Sequence, residues 1–231
     1  MNRTGRRLRF VAAAVALMVS VAWGLADAEA AKKKAGKPRA SFFHTKEIRS
    51  TNLKPFKKWT SALKRYSKEK LKKSGKCTQP GLDICNYGQW KAFLEPLKKK
   101  GKIAQLKAVN NRMNKARYIQ DASNWGKKDY WASPAQFMAR FGDCEDYAIV
   151  KYLSLRYLGW KERDLRVVAV KDLNLKVGHA VLVAFIKDKK TKKKRAVVLD
   201  NQIKKVVYAS SIRHYQPVFS INKRFWWRHV S

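Results

Sequence analysis

Residues 142–160 read GDCEDYAIVKYLSLRYLGW, and residues 178–185 read GHAVLVAF. In the first stretch Tyr147, Ala148, Tyr152 and Leu155 recur at helical spacing, and Gly159 supplies a stop, so a helix is predicted from near Asp143. In the second, His179, Val181, Val183 and Phe185 alternate and predict a strand. Leu165–Val170 and Ala196–Leu199 are two further strand candidates, and the basic loop Lys187–Lys194 joins the last two strands as a hairpin. Upstream, Trp125, Tyr130 and Trp131 lead to Ser133-Pro134, a helix start with Pro at the first helical position. Further upstream, the pattern from Glu47 to about Arg117 is helical. Its apolar stripes are Phe56, Trp59, Leu63 and Tyr66; Trp90, Phe93, Leu94 and Leu97; and Ile103, Leu106, Val109 and Met113. Helices first and strands afterwards argue an α+β fold, a helical N-terminal part packed on a small antiparallel sheet.

The whole chain has 231 residues, 53 Lys+Arg against 16 Asp+Glu, and a formal net charge of +37. A hydrophobic fraction of 45% excludes a disordered polycation, and 11 Gly, 6 Pro and 3 Cys exclude collagen-like and disulfide-framework classes. The surplus charge implies anionic partners: nucleic acid, anionic lipid or wall polymer, or an acidic protein. Residues 1–30 decide among these. Arg3, Arg6, Arg7 and Arg9 form a basic start, Phe10 to Leu25 an apolar run, and Ala26, Ala28 and Ala30 overlapping cleavage signals. The apolar run is shorter than the roughly 20 residues of a spanning helix, so it reads as a cleaved signal peptide and not as an anchor. Cleavage takes away four arginines and two acids, leaving +35. A periplasmic location follows as the expectation; it disfavours nucleic acid and favours an anionic envelope surface.

Residues 31–45 read as a basic linker, and residues 46–231 as one domain with a helical part (46–118) and a catalytic core (119–231). Cys77 and Cys85 bracket the turn sequence Thr78-Gln79-Pro80-Gly81 and are expected to form a disulfide in an oxidising compartment. Cys144 is left over. It stands at a predicted helix start, where free N–H groups and the helix dipole stabilise a thiolate. A nucleophilic Cys needs a base and a group to orient that base. His179 begins one hairpin strand and Asp200 ends its partner; symmetric pairing about the loop would set them opposite one another. A thiolate on a helix tip facing a His–Asp pair on a sheet is a papain-like or transglutaminase-like arrangement. The alternative reading of each residue is structural: Cys144 a small buried hydrophobe, Asp200 a turn residue before Asn201.

The stretches QLKAVNNRMNKARYIQD, WGKKDYWASP, GDCEDYAIVKYLSLRYLGW, GHAVLVAF, VVLDNQIKKVVYASSIR and PVFSIN run in order over about residues 105 to 222. Together they resemble the bacterial transglutaminase-like cysteine peptidases, the LapG-like family of periplasmic proteases. The resemblance implies Cys144 as nucleophile, His179 as general base and Asp200 as its orienter, with Ca²⁺ on Asp143, Glu145 and Asp146. It also implies a protein substrate such as a large surface adhesin, cut near paired alanines in a linker, and an inner-membrane cyclic-dinucleotide receptor as regulator.

The residues themselves point the same way on the metal. Three of the 16 acids fall within four positions around Cys144. Carboxylates so close to a thiol raise its pKa by repulsion, which a hard cation would cancel. The bland alternative is Asp143 as a helix N-cap with two acids on the dipole. The expected function is a calcium-dependent cysteine endopeptidase. The rivals are a transglutaminase or amidase using the same thioester chemistry on envelope peptides, and a non-enzymatic cationic envelope-binding module.

Overall fold

In the computed structural model of the chain, the described residues are 39–40, 42–69, 87–188 and 193–230. The elements run β1 (Arg39–Ala40), β2 (Lys46–Ser50), α1 (Lys57–Glu69), α2 (Tyr87–Leu94), α3 (Lys102–Met113), α4 (Asp121–Trp125), α5 (Pro134–Arg140) and α6 (Cys144–Tyr157). Then follow β3 (Leu165–Asp172), β4 (Val177–Lys187), β5 (Lys194–Leu199), β6 (Val207–Tyr208), β7 (Tyr215–Ile221) and β8 (Trp226–Val230). The architecture is α+β. The strands form one sheet in the order β1-β2-β8-β7-β3-β4-β5-β6, antiparallel throughout.

Strand β4 explains why the sheet has two covered faces. Leu182, Ala184 and Ile186 point into the cluster that holds Ile149, Leu153, Leu106 and Trp90 from the helices. Val181 and Val183 point the other way, into a second cluster with Val168, Val170, Val198, Tyr215 and Phe43. A central strand buried on both sides reads as a nearly continuous apolar run, which is what residues 180–186 are. The helix-side core is rich in tryptophan, and its three fully buried rings each have a hydrogen-bond partner: Trp59 donates to Asn222 O (3.2 Å), Trp90 to Ser154 Oγ (2.8 Å) and Trp160 to Gln105 Oε1 (2.7 Å). The predicted start of α5 holds: the Gln136 side chain accepts a bond from the Ser133 backbone N–H at 3.1 Å, one arm of a capping box.

Four expectations meet the structure differently. Lys46–Ser50 is a strand, not the beginning of a helical region, because it pairs with β8 over its whole length. The basic linker assigned to residues 31–45 ends earlier: Arg39–Ala40 pair with β2, and Phe43 is buried against Tyr215. The three strand candidates, β3, β4 and β5, are neighbours in a larger sheet of eight strands, one strand from its β6 edge. The sequence pattern does not signal β7 because Pro217 interrupts it, and a missing N–H is tolerated in a sheet only at an edge or irregularity; here the register with β3 slips between Ala169 and Val170, beside Pro217. The signal peptide (1–30) and the Cys77–Cys85 disulfide lie outside the described residues. Among the described residues no helix is long and apolar enough to cross a membrane.

The strand at 46–50 carries a buried ion pair on the second face. Arg166 on β3 meets Glu47 at 2.5 Å, and its guanidinium lies 3.6 Å from the Trp227 ring centroid. Removing one partner of such a pair leaves the other charge buried and alone, which costs about 3–5 kcal/mol. Glu47→Ala should therefore lower unfolding stability by about that amount in urea, several-fold more than alanine at an exposed acid such as Glu95.

Candidate active site

The connection from α5 to α6 is a tight, strained turn. Phe141 has a φ of 64°, in the left-handed region that a bulky side chain seldom adopts. Its N–H still closes α5 on Phe137 O at 2.8 Å, so the reversal happens within one residue. Gly142 follows, bridged to Tyr118, with Ile119 N–H donating to Gly142 O at 2.9 Å. A Cβ on Gly142 would lie 2.0 Å from Asp146 Oδ2, so only glycine admits the Asp146 carboxylate here. Asp143 occupies the N-cap position with extended backbone but makes no side-chain cap bond. The N-cap reading of Asp143 therefore fails, and its Oδ1 is buried without a partner.

Cys144 is the first residue of α6. Its thiol donates to Glu145 Oε2 at 3.1 Å, and the backbone N–H of Ala180 is close enough to favour the thiolate slightly against the burial that opposes it. Ala180 is the neighbour of His179 on β4, so the helix tip is docked at the strand position that carries the imidazole. His179 Nε2 lies 2.9 Å from Asp200 Oδ1, with both residues buried (5% and 1% exposed). The hairpin is symmetric about its loop, Lys187 pairing with Lys194, but that register does not set Asp200 opposite His179 as expected. Leu182 pairs with Leu199, which sets Asp200 opposite Val181 instead of His179. The pair still meets because residues 179 and 181 share a face and diagonal neighbours in a sheet are within reach of long side chains.

Asp200 is held on all sides. Oδ1 also accepts from Gln202 N–H (2.9 Å), Oδ2 from the Tyr215 hydroxyl (2.6 Å), and the backbone carbonyl from Asn114 Nδ2 (2.7 Å). Burial by itself would raise the Asp200 carboxyl; these donors and the His179 imidazole outweigh it and hold the group below the ordinary aspartate value. The other histidines do other work. His229 bridges Thr45 Oγ1 (3.0 Å) and Ser220 Oγ (3.1 Å) on the far part of the sheet, and burial pushes it down to about 4.

Around the thiol the electrostatics are unfavourable to an anion. Burial pushes Cys144 far up, and the charges of Glu145 and Asp143 add to it. Burial and mutual repulsion raise Asp143 to about 8 and Asp121 to about 6, and raise Glu145 and Asp146 as well. These acids are gathered, not scattered. Asp121, Asp143 and Asp146 can each bring a carboxylate oxygen within 4.8 Å of the others, as can Asp121, Asp129 and Glu145. Asp121 Oδ1, Asp143 Oδ1 and Asp146 Oδ2 are buried and unpartnered. Asp121, Asp129, Asp143 and Glu145 line an open pocket of about 530 Å³ with Lys58 and Lys128. Oxygen donors in this number, with orphaned lone pairs, are a set that Ca²⁺ or Mg²⁺ can satisfy. Asp121 and Asp129 were not picked out from the sequence, although both lie in stretches already singled out there. They are 22 and 14 residues before Asp143, and only the fold brings them to it.

The model of the bacterial transglutaminase-like cysteine proteinase family matches residues 79–229. The chain belongs to this family. Three solved structures of LapG from Legionella pneumophila are similar to it. One is 34% identical over 60% of this chain and 75% of its own, with a TM-score of 0.53. An EGTA-treated form is 33% identical over 62% and 75%, TM-score 0.54. A calcium-bound form is 29% identical over 72% and 87%, TM-score 0.55. No curated protein sequence matches the chain. The chain is thus a cysteine peptidase of transglutaminase-like fold.

The close approach at Gly142 gives a direct test of the local geometry. Gly142→Ala should displace the Asp146 carboxylate and destabilise the protein by about 1–3 kcal/mol, read as a lowered melting temperature. Alanine at the exposed Gly101, where an added Cβ meets nothing within 4 Å, should leave the melting temperature nearly unchanged.

Proposed function

We propose that this peptidase is an exported, calcium-dependent endopeptidase in which Cys144 is the nucleophile, His179 the general base and Asp200 the residue that orients the base. The observation that carries the reading is the buried His179–Asp200 contact, next along β4 to Ala180, whose backbone N–H favours the thiolate of Cys144. With Nε2–H given to Asp200, Nδ1 is the free ring nitrogen and takes the thiol proton. The Cys144 sulfur then attacks the peptide carbonyl, and the backbone N–H of Cys144 at the start of α6 is aimed to stabilise the oxyanion. His179 returns the proton to the leaving amine, and water hydrolyses the thioester by the same route in reverse.

The carboxylates beside Cys144 oppose this chemistry unless their charge is offset. Asp121, Asp143 and Glu145 would hold a calcium ion, with Asp146 Oδ2 and Asp129 at hand. The ion supplies positive charge that lowers the thiol and fixes the Phe141–Asp143 turn. The calcium-bound and EGTA-treated forms of the Legionella protein support this choice of metal. The signal-like residues 1–30 support export, and the basic surface suits residence at an anionic envelope. The substrate is then a surface or secreted protein with an exposed linker.

Cys144→Ala should abolish cleavage of surface proteins by cells while leaving circular dichroism and melting unchanged; retained proteolysis would end the reading. The calcium assignment makes a prediction of opposite sign to ordinary acid denaturation. Because Asp121 and Asp143 bind protons more tightly folded than unfolded, the metal-free protein binds more protons than its unfolded chain between about pH 4 and 8. Their contribution to stability is complete at low pH and is lost as pH rises through about 6 and 8. With EGTA, melting should fall across that window. Saturating calcium should remove the decline, and Asp121→Asn should weaken calcium binding at least tenfold by calorimetry.

A further inference from the structure

The hydroxyl of Tyr215 sits 2.6 Å from Asp200 Oδ2, the oxygen that His179 does not use. Its partners show a residue placed for that bond. Tyr215 opens β7 and is buried (4% exposed). Its ring packs against His179 (5.6 Å between centroids), His214 (4.5 Å) and Phe43 (6.4 Å). The first contact touches the imidazole itself. The last comes from the segment before β2, so the ring is clamped from both sides of its own strand.

We propose that Tyr215 is a positioning residue of the peptidase, which fixes the plane of the Asp200 carboxylate so that Oδ1 stays on His179 Nε2. The inference rests on the reading of Cys144, His179 and Asp200 as the catalytic set. A carboxylate held at one oxygen can rotate about its Cβ–Cγ bond. A second donor at Oδ2, with Gln202 N–H on Oδ1, stops that rotation. Tyr215 also stabilises the ionised form of Asp200, as His179 and Gln202 do, against the burial that opposes it. The other titratable groups that act on this pair are Lys151 on α6, which burial pushes down to about 7 against the pull of the Asp200 charge, and Asp172 at the end of β3 and Cys144, whose charges oppose an ionised Tyr215. None is hydrogen-bonded to Asp200. Lys151 Nζ has no hydrogen-bond partner in the structure, so the hydroxyl is the donor that Oδ2 depends on.

The test uses the mature chain with saturating calcium and two readouts. The first is the downfield proton resonance of the His179 Nε2–H, and the second is the rate of alkylation of Cys144 by iodoacetamide, resolved from other cysteines by mass spectrometry. Tyr215→Phe keeps the ring and its packing and removes only the oxygen. It should broaden the His179 resonance and slow Cys144 alkylation about tenfold, the scale of one hydrogen bond to a charged group. The sign of the pH effect follows from Asp200. Its folded value is depressed, so the His179 contact is present above that value and is lost as pH falls; without Tyr215 the value rises, and the resonance should vanish at a higher pH than in the unchanged protein.

Two further variants separate position from packing. In an Asp200→Ala background, Tyr215→Phe should change alkylation no further, because the hydroxyl acts through Asp200. Phe43→Ala should lower the melting temperature yet keep the resonance. The proposal is overturned if Tyr215→Phe leaves both readouts at their original values, if its effect persists without Asp200, or if Phe43→Ala erases the resonance equally. Failure of the catalytic reading looks different: His179→Ala would then alkylate at the unchanged rate, whatever Tyr215 does.

Discussion

The packing of helix α6 against strand β4 sets which end of each element meets the other, and the rest of the site depends on it. Ile149 and Leu153 on the helix share a core with Leu182 and Ala184 on the strand, so neither element can slide without exposing apolar surface. With that contact in place, the first residue of the helix stands at Ala180, one residue from His179. The thiol is thereby held at a helix N-terminus, where backbone N–H groups are unpaired, beside the strand that carries His179. A rigid pair of elements, not a loop, carries both groups.

Against a net charge of +37, the acids of this protein are conspicuous where they gather. Five of them, Asp121, Asp129, Asp143, Glu145 and Asp146, surround the start of α6, and three leave buried oxygens without partners. Left to themselves they work against a thiolate, since burial and repulsion favour protonated forms. The site therefore combines two opposed tendencies: the helix dipole and Ala180 N–H draw charge onto sulfur, and the carboxylates drive it off. A cation bound to the carboxylates turns the second into support for the first. Of the basic residues, Lys58 and Lys128 line the same pocket, and Lys58 pairs with Asp129 and offsets part of the repulsion on Asp121.

The triad candidates were legible because each residue announced itself in local pattern: a Cys at a helix start, a His at a strand start, an Asp at a strand end. Their exact relation was not. The expectation set His179 opposite Asp200, whereas the observed register, symmetric about the Lys187–Lys194 loop, makes them diagonal neighbours. That the two side chains bridge the diagonal rests on the Gln202 and Tyr215 bonds that hold Asp200, which come from outside the paired strands of the hairpin. Pro217 hid β7 for a related reason, since a residue unfit for a regular ladder is accommodated by an irregularity that only the partner strand reveals.

The sequence by itself determined the order of helices and strands through the core, the family, and the residue types able to do cysteine chemistry. Those are set by periodicity and composition, which act over a few residues at a time. Tertiary structure alone decided that Lys46–Ser50 pairs with β8, that Phe43 belongs to a core, that Asp121 and Asp129 join the acids at α6, and that Tyr215 closes on Asp200. Each of these joins residues from separate elements. Such contacts arise where burying apolar faces forces distant segments together, and the polar groups carried along must find partners in whatever company the packing provides.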